Sequence, residues 1–120
     1  MLVRVMALSD GYLSLFTVNP ETGYFLEYTR SYATLGTPKD GNDFFGQSIE
    51  NVPKVLCPDD QSEFLRRFSK ENIMRDIRSQ GHFTIQYRIM IDGAPKPVEL
   101  RIAPFKEGKE LRLFAAVKAR

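Results

Sequence analysis

The chain has 120 residues, 42% of them hydrophobic and 27% charged, which leaves room for one globular domain and excludes a second. Seventeen basic and fifteen acidic side chains give a formal charge of +2 without a run of like charges, so nucleic acid is not an expected partner. A single cysteine cannot form an internal disulfide, and no apolar segment reaches the length of about 18 residues that a membrane span needs. We therefore expect a cytoplasmic protein with no membrane contact through this segment.

The first thirty residues predict a flanking helix followed by a hairpin. Residues 1–10 fit a short helix that packs on the domain or forms a dimer seam, and we place the domain itself at 11–120. The segments 12–19 and 23–30 are rich in β-forming residues, and the proline and glycine between them supply turn geometry.

The next part of the chain predicts irregular and helical structure. Residues 37–41 have the composition of a loop, which leaves 31–36 room for one short helical turn. The segment 43–56 has a poor helical pattern that Pro53 interrupts, so we expect short, bent helices there.

Residues 58–81 carry the strongest helical signal of the chain, because apolar side chains recur at three- and four-residue spacing. Ser69 is a predicted N-cap of a second helix, and Gly81 is a predicted terminator. The period then changes to two, which predicts a three-stranded meander. Its strands are 82–92, 97–105 and 110–118. Because the strands cluster instead of alternating with helices, we predict an α+β domain with helices across one face of a sheet and a cavity between them.

A lone cysteine precedes a proline and two aspartates at 57–60, which raises the question of a reactive thiol. Proline and acidic side chains are typical of the first turn of a helix, so we interpret this segment as a helix start with a small buried cysteine. His82 is the single histidine and has no ligand-spaced cysteine or carboxylate set around it. We therefore expect no metal site.

Two arginines fall on the polar faces of adjacent predicted strands. Arg88 and Arg101 have Glu99 near them, and ion pairing across an exposed sheet face is one interpretation. If that face turned towards the helices, an arginine there would instead bind an anionic ligand group.

The chain is rich in aromatic side chains, with nine phenylalanines and five tyrosines. Most must belong to the core, but a small domain of this composition can also line a pocket for a flat or carboxylated metabolite. The residues that we expect to line such a pocket are Tyr32, Phe44, Phe45, Tyr87, Arg88, Leu100 and Phe114.

Two long strings of the sequence resemble a PAS sensory domain. They are GQSIENVPKVLCPDDQSEFLRRF at 46–68 and FTIQYRIMIDGAPKPVELRIAPF at 83–105. Within that family the chain is most similar to domains found ahead of diguanylate cyclase or histidine kinase modules in gut-type bacteria. The resemblance covers roughly residues 10–118, and its motifs are specific through their order and spacing more than individually.

The resemblance implies a five-stranded antiparallel sheet in the order 2-1-5-4-3, with short helices on one face. It also implies that Pro58 opens the long helix and that Asp92-Gly93 turns between the third and fourth strands. Cys57 stands where histidine is common in the family, and Pro97 where tryptophan is common. The string around the cysteine differs from that of flavin-binding members, and the long helix lacks the histidine of haem-binding members. The resemblance therefore implies no flavin or haem, and any ligand would be an unidentified small molecule bound non-covalently.

Three functional hypotheses remain open. The first is a non-catalytic sensor module that forms a homodimer through its N-terminal helix and a sheet face and acts on an output module of the same protein. The second is a PAS domain with a solidly packed core that only pairs output modules. The third is a small cone-shaped α+β enzyme of the isomerase or dehydratase type, with Asp43, Asp60 or Asp76 as a buried proton acceptor.

Overall fold

The computed structural model describes residues 12–31, 34–35 and 39–120. The flanking helix expected at residues 1–10 lies outside these ranges. Among the residues described, no helix is long and apolar enough to cross a membrane. In chain order, the strands and helices are β1 (Tyr12–Val18), β2 (Phe25–Ser31), β3 (Thr34–Leu35), β4 (Lys39–Gly41), α1 (Phe44–Val55), α2 (Pro58–Arg67), α3 (Lys70–Gln80), β5 (Phe83–Ile91), β6 (Ala94–Glu107) and β7 (Glu110–Ala119).

The strands form one antiparallel sheet in the order β3-β2-β1-β7-β6-β5, with β4 also paired to β2. The predicted five-stranded sheet is therefore wrong in its strand number, and its full order differs because β3 and β4 are added, but the five long strands keep the predicted order 2-1-5-4-3. The five long strands run β2-β1-β7-β6-β5, and the two short strands pair beyond β2. β4 replaces part of the loop predicted at 37–41, and β3 lies where a helical turn was predicted within 31–36. Because an edge strand offers unpaired N–H and C=O groups, short segments without an apolar alternation can still pair with it.

The helices begin and end at side chains that the sequence marks. The Asp43 carboxylate accepts a hydrogen bond from the Gly46 N–H at the start of α1 (3.0 Å), and the Ser69 hydroxyl accepts one from the Asn72 N–H at the start of α3 (3.0 Å). Gly81 ends α3 with a φ of 90°, in the left-handed region that glycine adopts without strain. The predicted caps at Ser69 and Gly81 are therefore confirmed.

The short, bent helices predicted for 43–56 are wrong, because α1 is one helix of 12 residues that contains Pro53. The proline is the third residue from the end of the helix, and it removes one N–H donor. The N–H of Leu56 still donates to the Val52 carbonyl (3.0 Å), so the final turn closes after the proline.

The turn at Asp92-Gly93 that the resemblance implies is confirmed, and the hairpin between β5 and β6 is tighter than the predicted strand bounds 82–92 and 97–105. Asp92 and Gly93 both have positive φ, 52° and 77°, as a two-residue type I′ turn requires. β6 therefore begins at Ala94 rather than at Pro97, and it is 14 residues long.

Pro97 lies inside β6, next to the last residue pair that this strand forms with β7. The last residue pair between β6 and β7 joins Val98 and Ala119. The Arg120 N–H donates to the Pro97 carbonyl (3.1 Å), so the backbone of Pro97 faces the β7 side beyond that pair. Proline has no N–H to donate, so the Arg120 N–H supplies the hydrogen bond at this position.

The three helices cover one face of the sheet, which we call the inner face; the opposite face is the outer face. The alternation predicted for the last three strands is confirmed, because their apolar positions pack against the helices. The buried core contains Phe83 and Ile85 from β5, Leu100 and Ile102 from β6, Leu113 and Ala115 from β7, and Phe44, Phe45, Val52, Phe64, Phe68, Ile73 and Ile77 from the helical segment.

Candidate functional site

Four of the predicted pocket residues lie on the inner side of the sheet, where they pack against one another and their neighbours. Phe44, Phe45 and Leu100 are buried, and Tyr87 packs at the margin of the same core. The Tyr87 ring meets the Phe64 ring edge-on at a centroid distance of 5.0 Å, and burial raises the pKa of Tyr87 to about 12. The side chains meet as predicted, but as packing partners in the core.

Aromatic rings occupy the space predicted to be a cavity between helices and sheet. The Phe44 ring contacts Phe16 at 5.3 Å, Phe25 at 5.7 Å and Phe45 at 5.3 Å, each time edge to face. The series continues through Phe68, whose centroid lies 6.2 Å from that of Phe44. Edge-to-face geometry is the favoured arrangement of aromatic pairs, so this interior is stabilised by its own side chains.

Arg88 pairs with Asp60 at the start of α2 and not with Glu99, so the interpretation of its ion pairing with Glu99 across the sheet face is wrong. Its Nε and Nη2 donate to the Asp60 carboxylate, each at 2.9 Å, and its backbone N–H donates to the same carboxylate at 2.8 Å. Glu99 instead accepts a hydrogen bond from Gln86 (3.1 Å). The partnership arises because β5 is the last strand of the sheet, so the backbone N–H and C=O of Arg88 lie at its open edge, next to the start of α2.

The ion pair between Asp60 and Arg88 favours the ionised form of the Asp60 carboxyl group. The side-chain hydrogen bond from Arg88 lowers the pKa of Asp60 below its ordinary value, although partial burial opposes the shift. The same contact raises the pKa of Arg88. The guanidinium thus has a bidentate carboxylate partner within the chain.

Cys57 is buried directly before α2, and its N–H donates to the Arg88 carbonyl (2.9 Å). Pro58 and the following aspartates occupy the first turn of the helix, which confirms the interpretation of 57–60 as a helix start. In the part of the chain that the structure describes, there is no group of three side chains suited to hold a metal ion.

The three carboxylates considered for an enzyme have structural partners. Asp43 caps α1, and Asp60 binds Arg88. Asp76 lies 3.7 Å from the guanidinium of Arg75. None of the three lines the pocket described next.

A pocket of about 680 Å³ lies on the outer face, at the end of the sheet where β1, β2, β6 and β7 meet. Direct strand pairing places its residues side by side, because Thr17 is paired with both Leu26 and Phe114. Phe114 is thus the predicted pocket residue that lies in the observed pocket, whereas Tyr32 lies outside the described residues. The pocket is lined by Thr17, Val18, Asn19, Tyr24, Leu26, Tyr28, Phe105, Glu107, Arg112 and Phe114.

The pocket combines aromatic walls with a charged edge. Leu15 and Ala116 are buried beside it and pack against Tyr28 and Phe114. At the edge, Arg112 donates to Glu110 (2.5 Å) and to the Leu111 carbonyl (3.0 Å). The arrangement resembles ligand sites in general, which are mostly apolar with a few placed polar groups.

The charged edge continues on both sides of the pocket. Arg112 also lies 3.8 Å from the Glu107 carboxylate. On the opposite wall, the Tyr24 hydroxyl donates to Asp40 (3.5 Å). The carboxylates of Asp40 and Glu107 are far apart in the sequence. Strand pairing places both at the pocket, where Glu107 is a lining residue and Asp40 contacts the lining residue Tyr24.

No protein-family model and no curated protein matches the sequence. Among solved structures, the chain is similar to that of an RNA-binding light-oxygen-voltage receptor, with a TM-score of 0.55 and 13% sequence identity. The match covers 91% of this chain and 29% of the receptor chain. Light-oxygen-voltage domains belong to the PAS family. Together with the antiparallel sheet and the helices on one of its faces, this likeness shows that the chain has a PAS fold.

Proposed function

We propose that the chain is a signal-transduction module of the PAS type, which works in the cytoplasm as a homodimer. It passes a shift between two arrangements to an output module of the same protein, such as a diguanylate cyclase or a histidine kinase. The domain itself is non-catalytic and binds no nucleic acid in this proposal. The observation that carries it is a PAS fold with an aromatic-walled pocket on the outer face of the sheet.

The geometry of β7 supports a relay between the two faces. Leu113 and Ala115 of this strand are fully buried in the inner core, whereas Arg112 and Phe114 line the outer pocket. A ligand or partner at the outer face therefore acts on the strand that also packs the core. A ligand or partner shifts the population between two states when its contacts with the protein differ between those states.

We propose that no flavin or haem binds between the helices and the sheet. Phe44, Phe45 and Phe68 lie there with centroids 5.3 to 6.3 Å apart, and this mutual packing of the rings supports the proposal. Cys57 is buried with its N–H bound to a strand carbonyl, which supports a structural role for it. A packed inner face also supports placing any small ligand on the outer face.

The homodimer is tested by light scattering after gel filtration at rising protein concentration. We expect the mass of a dimer, and we expect Phe105→Glu to shift the chain towards monomer because it places a charge on the outer face. Ile49→Glu is the matched control, since Ile49 is exposed on α1, away from that face. A monomer at every concentration, or equal effects of the two variants, would overturn the homodimer through the outer face.

A further inference from the structure

The aromatic rings of the outer pocket are available to a ligand. Tyr24, Phe105 and Phe114 make no ring contact with another aromatic side chain in the described part of the molecule, in contrast to the rings of the inner core. Tyr24 is 42% exposed. Ring faces carry the negative part of the aromatic quadrupole, so such walls attract organic cations.

The charges at the edge of the pocket favour the same kind of ligand. Asp40, Glu107 and Glu110 supply three carboxylates, and Arg112 supplies the guanidinium between the latter two. The Arg112 side chain is 21% exposed and already donates to Glu110 and to a backbone carbonyl. The positive charge of Arg112 is therefore largely neutralised by partners within the chain.

Glu107 is the carboxylate best placed to meet a ligand. It lines the pocket, its side chain is 72% exposed, and its contact with Arg112 is long at 3.8 Å. A ligand cation can approach this carboxylate from the pocket side without displacing the Glu110–Arg112 pair. Among the side chains that line the pocket and the partners bonded to them, three carboxylates thus stand against one guanidinium, next to aromatic walls.

We propose that the outer pocket binds a small organic cation, with an alkylated ammonium group against Tyr24, Phe105 and Phe114 and its charge near Glu107. The inference rests on the proposed function in that the pocket lies on the face through which the module signals. The volume of about 680 Å³ accommodates an ammonium group with an attached ring or short chain. Binding on this face would bias the arrangement of the dimer through β7.

The test is an NMR titration of the ¹⁵N-labelled chain with three small aromatic probes of different charge. They are benzyltrimethylammonium, benzyl alcohol and benzenesulfonate. We expect the cation to shift amide signals of the pocket strands in a saturable way, and to bind at least about threefold more tightly than the other two probes.

Variants locate the site and the source of its preference. Glu107→Gln is expected to weaken binding of the cation by about threefold, and Phe105→Leu to weaken it similarly while keeping apolar volume. Glu50→Gln is the matched control, because Glu50 is exposed on α1 far from the pocket. The dispersion of the amide spectrum checks that each variant is folded.

Several outcomes overturn the inference. Tighter binding of the sulfonate would assign the pocket to anions, and equal binding of the neutral probe would leave only apolar contact. No saturable shift with any probe would mean that the pocket takes no such ligand. The titration reports binding to each chain, whatever its oligomeric state. A monomer that binds the cation would refute only the proposed homodimer. A dimer that does not bind the cation would refute only the proposed ligand.

Discussion

The inner and outer faces of the sheet use the same residue types in different ways. On the inner face, the Phe44 ring meets four other rings within a buried core. On the outer face, Phe105 and Phe114 stand next to one pocket with a charged edge. Along β7, alternate residues belong to one face or the other. The difference shows that alternation in sequence assigns a side chain to a face, whereas its role depends on what covers that face.

The largest effect on stability is expected from removing an aromatic ring of the inner face. Phe68 is 1% exposed, and its ring contacts Phe44, Phe45 and Phe64. Phe68→Ala should lower the free energy of unfolding by about 3–5 kcal/mol, measured by urea denaturation. Phe68→Leu is the control, with an expected loss below about 1.5 kcal/mol. A loss near zero for the alanine variant would contradict a solidly packed inner face.

A smaller effect is expected where α2 meets the edge of the sheet. Asp60→Ala removes three hydrogen bonds from Arg88 and should lower the free energy of unfolding by about 1–2 kcal/mol at neutral pH, allowing for solvent screening at the half-exposed pair. Asp59→Ala is the matched control, because Asp59 is the exposed neighbour in the same turn. A loss no larger than that of the control would mean that the ion pair adds nothing to stability.

The contribution of Asp60 also depends on pH. Its pKa is lowered in the folded chain from an ordinary value of 3.8, so its stabilisation is complete above that value and is lost as the pH falls through the lowered pKa. Urea denaturation at decreasing pH should therefore show the difference between wild type and Asp60→Ala shrinking in acid. A constant difference across this range would contradict the assignment.

The smallest effect on stability is expected on the outer face. Phe105 is half-buried at the pocket, so Phe105→Ala should lower the free energy of unfolding by about 1 kcal/mol or less. Urea denaturation beside Phe68→Ala gives the comparison directly. Equal losses in the two variants would show that the outer face is packed like a core, and would remove the contrast between the faces.

Much of the fold was accessible from the sequence because it rests on local rules. The period-two segments gave the last three strands, and the caps at Ser69 and Gly81 were found from residue type alone. The short strands at Thr34–Leu35 and Lys39–Gly41 were missed, since backbone pairing to an edge leaves no side-chain pattern. The pair of Asp60 and Arg88 was missed because it depends on where β5 lies in the sheet.

The pocket was harder to predict from the sequence than the fold was, for a different reason. Of the residues predicted to line a pocket, Phe44, Phe45, Tyr87 and Leu100 came together on the inner face, where they pack in the core. Phe114 lines the outer pocket because pairing sets it beside Thr17 of β1. A sequence reports which residues share a face, but the depth of a pocket follows from strand register and from the side chains that meet across it.

The edge contacts of the sheet also limit how this protein can assemble. At the β5 edge, the Thr84 carbonyl accepts from Arg67, the Arg88 carbonyl accepts from Cys57, and the Arg88 N–H is bound by Asp60. At the other side, β3 and β4 already pair with β2. A foreign strand that approached the β5 edge would have to displace the groups bound there before it could extend the ladder. Extension of the sheet by a strand of another molecule is therefore disfavoured at the β5 edge.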